Sequence, residues 1–346
     1  MSDDEYDEST TDSCNIGLLT ELETGELYKL QRHHFPSKFG GKPAWLIPQN
    51  LPSPQSLECP TCFIPMSFLL QLYCPSDSFS DDAFHRTLFV FCCYTPSCQR
   101  HQTSTKVFRS QLPLLNEFYP DEPSSPSSSP PPSPAHTTLC SVCGCYGPLR
   151  CSSCKNVWYC SKNHQLIDWG FNHSKECNQL EQSIIFDPTR VSHENYDRIF
   201  PEFWIESEPE PPEIDENFSE KIDKDSHLYT GDELKELEDV TKQQNLDQVF
   251  VNFSVRVGRN PKQILRYDRG SIPLWAGLKN IYENSPPCCS KCGGNRIFEF
   301  QILPSIIYLS KTFNLDFGNL VVYTCENSCD IGTNYVEEFV WRQISD

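Results

Sequence analysis

The sequence predicts an α+β protein that is mainly β: two related β-rich halves with a small cysteine-rich finger inserted between them. Three observations predict it. The first is self-similarity at an offset of 230 residues: Gly40-x2-Pro43-x-Trp45 returns as Gly270-x2-Pro273-x-Trp275, Cys59-x2-Cys62 as Cys289-x2-Cys292, and Phe68-x2-Gln71 as Phe298-x2-Gln301. Downstream, Leu88-Phe-Val-Phe-Cys-Cys93 with Cys98 matches Leu320-Val-Val-Tyr-Thr-Cys325 with Cys329, the offset drifting by one or two residues. Matches in register at chemically special residues indicate an internal duplication. The second is a block of paired cysteines and histidines between Cys140 and Cys177, in the middle of the chain. The third is composition. With 346 residues there is room for two or three domains, but 28 prolines and 38% hydrophobic residues imply long unpacked stretches between them.

Those stretches divide the chain. Residues 1–13 form an acidic tail with no base among its first twelve positions. The N-terminal β-rich half spans 14–119. A Pro/Ser linker of polyproline character fills 120–136, the finger 137–180, an acidic linker 181–230, and the C-terminal half 231–346. Within the acidic linker, 202–220 hold eight carboxylates (Glu202, Glu206, Glu208, Glu210, Glu213, Asp215, Glu216, Glu220) and no Lys or Arg. Pro209, Pro211 and Pro212 oppose a helix there.

The central block carries the sharpest chemistry. It reads Cys140-x2-Cys143, Cys151-x2-Cys154, Cys160-x3-His164 and His173-x3-Cys177. A two-residue gap lets a tight turn present both ligands to one tetrahedral metal, and a three-residue gap sets them one helical turn apart. Cross-bracing assigns Cys140, Cys143, Cys160 and His164 to one zinc and Cys151, Cys154, His173 and Cys177 to a second. A segment this short needs its metals, because it cannot bury enough apolar surface alone. Cys145 lies off the pattern. Each half offers four more cysteines in a zinc-ribbon-like arrangement: Cys59, Cys62, Cys93 and Cys98, then Cys289, Cys292, Cys325 and Cys329. One further zinc in each half is the metal reading. Buried free thiols, or a redox pair at each Cys-x2-Cys, are the alternatives.

Secondary-structure expectations follow from periodicity. Phe250-Val-Asn-Phe-Ser-Val-Arg-Val alternates like a strand, Val336–Ile344 is another strand, and Asp232–Gln244 has helical spacing. Trp45 and Trp275 are expected to pack the core of each half, a duplicated ligand-contact loop being the alternative.

Other classes are excluded or disfavoured. The net charge of −19 makes a poor binder of nucleic acid, whose recognition rests on Lys and Arg, and suits a basic partner; simple solubility is the bland account of the same charge. No run of eighteen apolar residues occurs, and the acidic start lacks the character of a signal peptide. A reducing compartment is therefore expected, the cytoplasm with access to the nucleus, where nineteen cysteines point to metal rather than disulfides. No Gly-rich phosphate loop, HExxH helix or nucleophile elbow is present, so no catalytic residue is assigned and the chain is not expected to be an enzyme.

The central block resembles the MYND zinc finger family through its ligand spacing, Tyr159-Cys160-Ser161, Gln165 and Trp169. The resemblance implies a groove at Gln165 and Trp169 for proline-containing peptides, although Trp169 packing the small core is an equal alternative. His164 departs from the cysteine usual in that family. Over nearly the full length, the chain resembles the programmed cell death protein 2 family, which carries this histidine. The match lies in Phe39-Gly-Gly-Lys-Pro-Ala-Trp45, Asp82-Ala-Phe-His-Arg86, Phe91-Cys-Cys93, Cys160-Ser-Lys-Asn-His-Gln165, Asp168-Trp169, Cys289-x2-Cys292-Gly-Gly and Phe298-Glu-Phe-Gln301. That resemblance implies a dedicated chaperone for a basic protein of the small ribosomal subunit, active in 40S ribosome biogenesis. A regulatory adaptor binding proline-containing peptides is the competing reading.

Overall fold

The computed structural model describes residues 14–76, 80–121, 125, 138–177, 196, 198–212, 247–312 and 314–344. Two antiparallel meanders form most of a closed ten-stranded barrel. The first contains β3 (Ser67–Tyr73), β4 (His85–Cys92) and β5 (Thr105–Leu112); the second contains β10 (Arg296–Ile302), β11 (Asn319–Cys325) and β12 (Val336–Gln343). They join edge to edge where β12 pairs with β5. The other side is closed by β1 (Asn15–Thr20), β2 (Lys38–Phe39), β8 (Phe203–Pro209) and β9 (Gln263–Tyr267), giving the order β1-β8-β2-β3-β4-β5-β12-β11-β10-β9. Closure leaves no open sheet edge. No helix among the described residues is long and apolar enough to cross a membrane.

The strands are apolar on both faces because both faces are covered. Along β4, Leu88, Val90 and Cys92 enter the barrel interior, while Phe89, Phe91 and Cys93 join a second core outside it with Trp45, Phe68 and Phe108. The period of two does the same in β11: Leu320 and Val322 point inward, Val321 and Tyr323 outward. The meanders share local detail. Each first strand is bulged at the same place, between Phe68 and Leu70 and between Phe298 and Phe300. In each, a glutamine amide clamps one loop residue. Gln71 accepts from the Ala44 N–H at 2.8 Å, and Gln301 from the Leu274 N–H at 2.7 Å. Gln71 Nε2 donates to the Ala44 carbonyl and Gln301 Nε2 to that of Leu274.

Buried ion pairs stitch the meanders together. Arg86 on β4 forms a bidentate pair with Glu299 on β10 at 2.7 and 2.9 Å, both side chains having no exposed surface. Arg109 on β5 and Arg296 each donate to Glu338 on β12 at 2.7 Å.

Two expectations change and one holds. The 203–209 part of the acidic run is no unpacked linker but strand β8, pairing with β1 and β2. Ile205 packs into the barrel interior, so alternation (Phe203, Ile205) outweighed the surrounding carboxylates. Phe250–Val257, expected as a strand, lies in a helix, α2 (Gln248–Gly258). Asp247 caps it by accepting from the Val249 and Phe250 N–H groups, and the place beside β9 where a strand could pair is taken by β1. The halves 14–119 and 231–346 join in one sheet, since β1 pairs with β9 and β5 with β12. Val336–Gln343 is a strand as expected. The helix expected over 232–244, the acidic tail and the Pro/Ser run lie outside the described residues.

Candidate metal centres

Four groups of ligand atoms converge, each within 4.8 Å: Cys59, Cys62, Cys93 and Cys98; Cys140, Cys143, Cys160 and His164; Cys151, Cys154, His173 and Cys177; Cys289, Cys292, Cys325 and Cys329. They are the four sets grouped from spacing. Each is seeded by a Cys-x2-Cys knuckle with one backbone device. The residue after the second cysteine is left-handed at Phe63 (φ 58°), Gly144 (φ 71°), Lys155 (φ 56°) and Gly293 (φ 71°), and its N–H bonds back to the first cysteine carbonyl at 2.9–3.1 Å. That turn aims both thiols at one point. The remaining ligands arrive from other elements. Cys93 follows β4 on its outward parity, whereas Cys92 points into the interior; Cys325 ends β11 outward and Thr324 points in. In the finger, Ser161 caps helix α1 (Lys162–Asp168) by accepting from the His164 N–H, placing His164 one turn beyond Cys160.

The distances fit zinc. Tetrahedral Zn–S bonds near 2.3 Å and Zn–N bonds near 2.0–2.1 Å require S···S edges of roughly 3.8 Å and S···N edges of roughly 3.6 Å. Cys62–Cys93, Cys143–Cys160, Cys151–Cys177, Cys289–Cys329 and Cys292–Cys325 lie at 3.6–3.8 Å. Cys140 Sγ is 3.6 Å from His164 Nδ1 and Cys154 Sγ is 3.5 Å from His173 Nε2, while Cys160 Sγ lies nearer to His164 Nδ1, at 3.1 Å. A disulfide needs about 2.0 Å, and all the described cysteines are free.

Electrostatics agree. Burial opposes charge on Cys62, Cys151 and Cys289, yet hydrogen bonds draw their thiols down to about 7, 6 and 7. The Thr95 hydroxyl leads at Cys62, His173 at Cys151, and the backbone N–H of Cys292 at Cys289. Burial and the neighbouring thiolates push Cys329 up to about 12. Against burial, the Cys143 and Cys140 thiolates raise His164 to about 10. Three or four thiols in one group do not ionise together unaided, so these ligand sets suit a bound cation. The donors are sulfur and imidazole throughout, four to a group, with none left open.

The finger sits on the first meander. Trp45 Nε1 donates to the Gly144 carbonyl at 2.8 Å and Lys42 Nζ to the Ser141 carbonyl at 2.9 Å. Cys145, the off-pattern thiol, is buried in that contact. Trp45 is a core residue as expected; Trp275 is only half-buried. Trp169 is 44% exposed, its ring edge-on to His173, so only part of its surface packs the finger. Gln165 is half-buried one turn earlier on α1, and Leu166 and Phe171 are exposed nearby. Sequence reasoning did not find Lys42 as a docking residue or Glu299 as the partner of Arg86. A long-range contact leaves no periodic trace, although a lone Glu inside the apolar run Ile297–Ile302 was a signal.

Residues 13–126 match the N-terminal domain and 247–344 the C-terminal putative domain of programmed cell death protein 2, and 140–177 match the MYND finger. The chain is 41% identical over 350 residues to programmed cell death protein 2 of Bos taurus, covering 96% of this chain and 98% of that one. It is 27% identical to the human programmed cell death protein 2-like, with 85% of each covered. A relative in Schizosaccharomyces pombe, named probable 20S rRNA accumulation protein 4, is 24% identical over 84% of this chain and 87% of its own. No solved structure matches. With three domain matches in order and a relative of this identity along nearly all its length, the chain belongs to the programmed cell death protein 2 family.

Proposed function

We propose that the chain is a zinc-stabilised chaperone, without enzymatic activity, for a basic protein of the small ribosomal subunit. It would act in 40S biogenesis in the cytoplasm, with access to the nucleus. The observation that carries this reading is the likeness, over 84% of the chain, to a relative named probable 20S rRNA accumulation protein 4. The net charge of −19 supports a basic client, and four closed sulfur-rich clusters suit rigid platforms better than chemistry. We read one zinc in each cluster and the two meanders as a duplicated zinc-ribbon-like unit. Part of the acid is already engaged. Glu202 pairs with Lys38, and Glu210 with Arg256 and Arg266, so among the described carboxylates of the run client-directed charge falls to Glu206 and Glu208.

The test mixes the zinc-loaded chain with each purified small-subunit ribosomal protein. One soluble 1:1 complex whose affinity falls with salt is expected; failure of every protein to bind overturns the reading. Elemental analysis should return four zinc per chain, and two would confine metal to the finger. The exposure of Trp169, Leu166 and Phe171 favours a second reading, a finger that binds proline-containing peptides. Trp169→Ala should then abolish partner binding.

A further inference from the structure

Loops 40–48 and 270–278 leave their meanders through the same glutamine clamp, and each carries a tryptophan one residue later. Their fates differ. In the first, the finger is seated on the loop: Trp45 is buried with its indole bonded to the Gly144 carbonyl, and Lys42 is only 9% exposed. The contact is close enough that a Cβ on Gly144 would meet Lys42 Cβ at 2.9 Å.

In the second loop, Ile272 stands at the position of Lys42 and is 86% exposed. Leu278 is 60% exposed, and the Trp275 indole N–H has no hydrogen-bond partner among the described residues. Beneath lies an aromatic face of Phe298, Tyr323, Tyr282, Phe339 and Trp341. Asp247 at the head of α2 accepts from the Leu278 N–H at 2.6 Å, which seats that helix beside the loop, and Phe250 on it is also exposed.

The differences specify an occupant. Replacing Lys42 by an isoleucine exchanges a cation that sought a carbonyl for an apolar contact. Keeping the tryptophan keeps a donor for a main-chain carbonyl. Ile272, Trp275, Leu278 and Phe250 carry no charge, so the patch offers phosphate little. A half-buried tryptophan among exposed aliphatics is the composition of an interface hot spot. We propose that the face around Trp275 docks an extended segment of a partner polypeptide. The segment lays an apolar side chain on Ile272 and Leu278 and presents a main-chain carbonyl to Trp275 Nε1, as the finger does at Trp45. This deepens the protein-binding reading and rests on it.

The test pans a phage-displayed library of short random peptides on the full-length, zinc-loaded chain. Enriched peptides should lose at least tenfold in affinity on Ile272→Asp and several-fold on Trp275→Phe, and should keep it on Trp169→Ala. Zinc content and melting temperature should not move on Ile272→Asp, because that side chain is in solvent. No enrichment, or peptides indifferent to Ile272→Asp, overturns the proposal. So does concentration-dependent dimerisation that Ile272→Asp abolishes, which would give the face to a second copy. The ribosomal reading is judged separately. Peptides that depend on Ile272 with no ribosomal protein bound leave this surface standing and remove that reading, and a ribosomal protein bound to a chain that selects no such peptide does the reverse.

Discussion

At the scale of residues, parity decides which thiol joins a ligand cluster. Cys92 and Cys93 are adjacent and both buried, yet strand alternation sends Cys92 into the barrel and Cys93 to Cys59, Cys62 and Cys98. Cys93→Ser should therefore lose one equivalent of zinc and cost on the order of 4 kcal/mol or more of stability. Cys92→Ala should keep full zinc and cost roughly 1–2 kcal/mol as a small cavity. Elemental analysis beside a melting curve distinguishes them. This much was legible, because Cys-x2-Cys spacing and a period of two are both local. That Trp45 would bond to the finger was not, because its acceptor lies 99 residues away.

Elements show how one motif can carry two loads. Gly40 and Gly270 repeat in sequence and both have positive φ, 69° and 85°. A Cβ at Gly40 would sit 1.9 Å from the Pro201 carbonyl oxygen, while at Gly270 its nearest neighbour is 3.9 Å away. Gly270→Ala should cost roughly 1–2 kcal/mol, the left-handed conformation alone. Gly40→Ala should cost several-fold more, because the chain leading into β8 must move. Denaturant midpoints of the two variants check the order. The same strand defeated the reading of the acidic run. Composition predicts solvation for a carboxylate-rich segment, but Lys38, Arg256 and Arg266 supply the counter-charges that let its backbone pair. In α2 the β-branched alternation was equally misleading. A strand needs a free neighbour, and β1 had already paired with β9.

Across the whole molecule, the meanders are held in one barrel by charge as well as by apolar packing. Burial works to raise the Glu299 carboxyl, but the Arg86 guanidinium, with Arg269 and Thr324, holds it down at about 2. Glu299→Gln leaves Arg86 buried without its countercharge and should cost about 3–5 kcal/mol at neutral pH. The sign of the pH dependence follows from a carboxyl that is more acidic folded than unfolded. Its contribution is complete above about 4.5 and is lost as pH falls toward about 2. The stability gap between wild type and Glu299→Gln should thus narrow over that range, read by denaturant unfolding at stepped pH. A constant gap would show that the pair does not link the meanders electrostatically.

Knuckle spacing and strand alternation act over a few residues, so the four cysteine-rich groups that converge in the fold, and the family, were legible in the sequence alone. Tertiary structure alone decided that both meanders share one closed barrel, that an acidic run supplies a strand, and that the finger covers the first tryptophan loop and not, among the described residues, the second. Those outcomes depend on which distant groups meet, and neither spacing nor composition records a meeting across the fold.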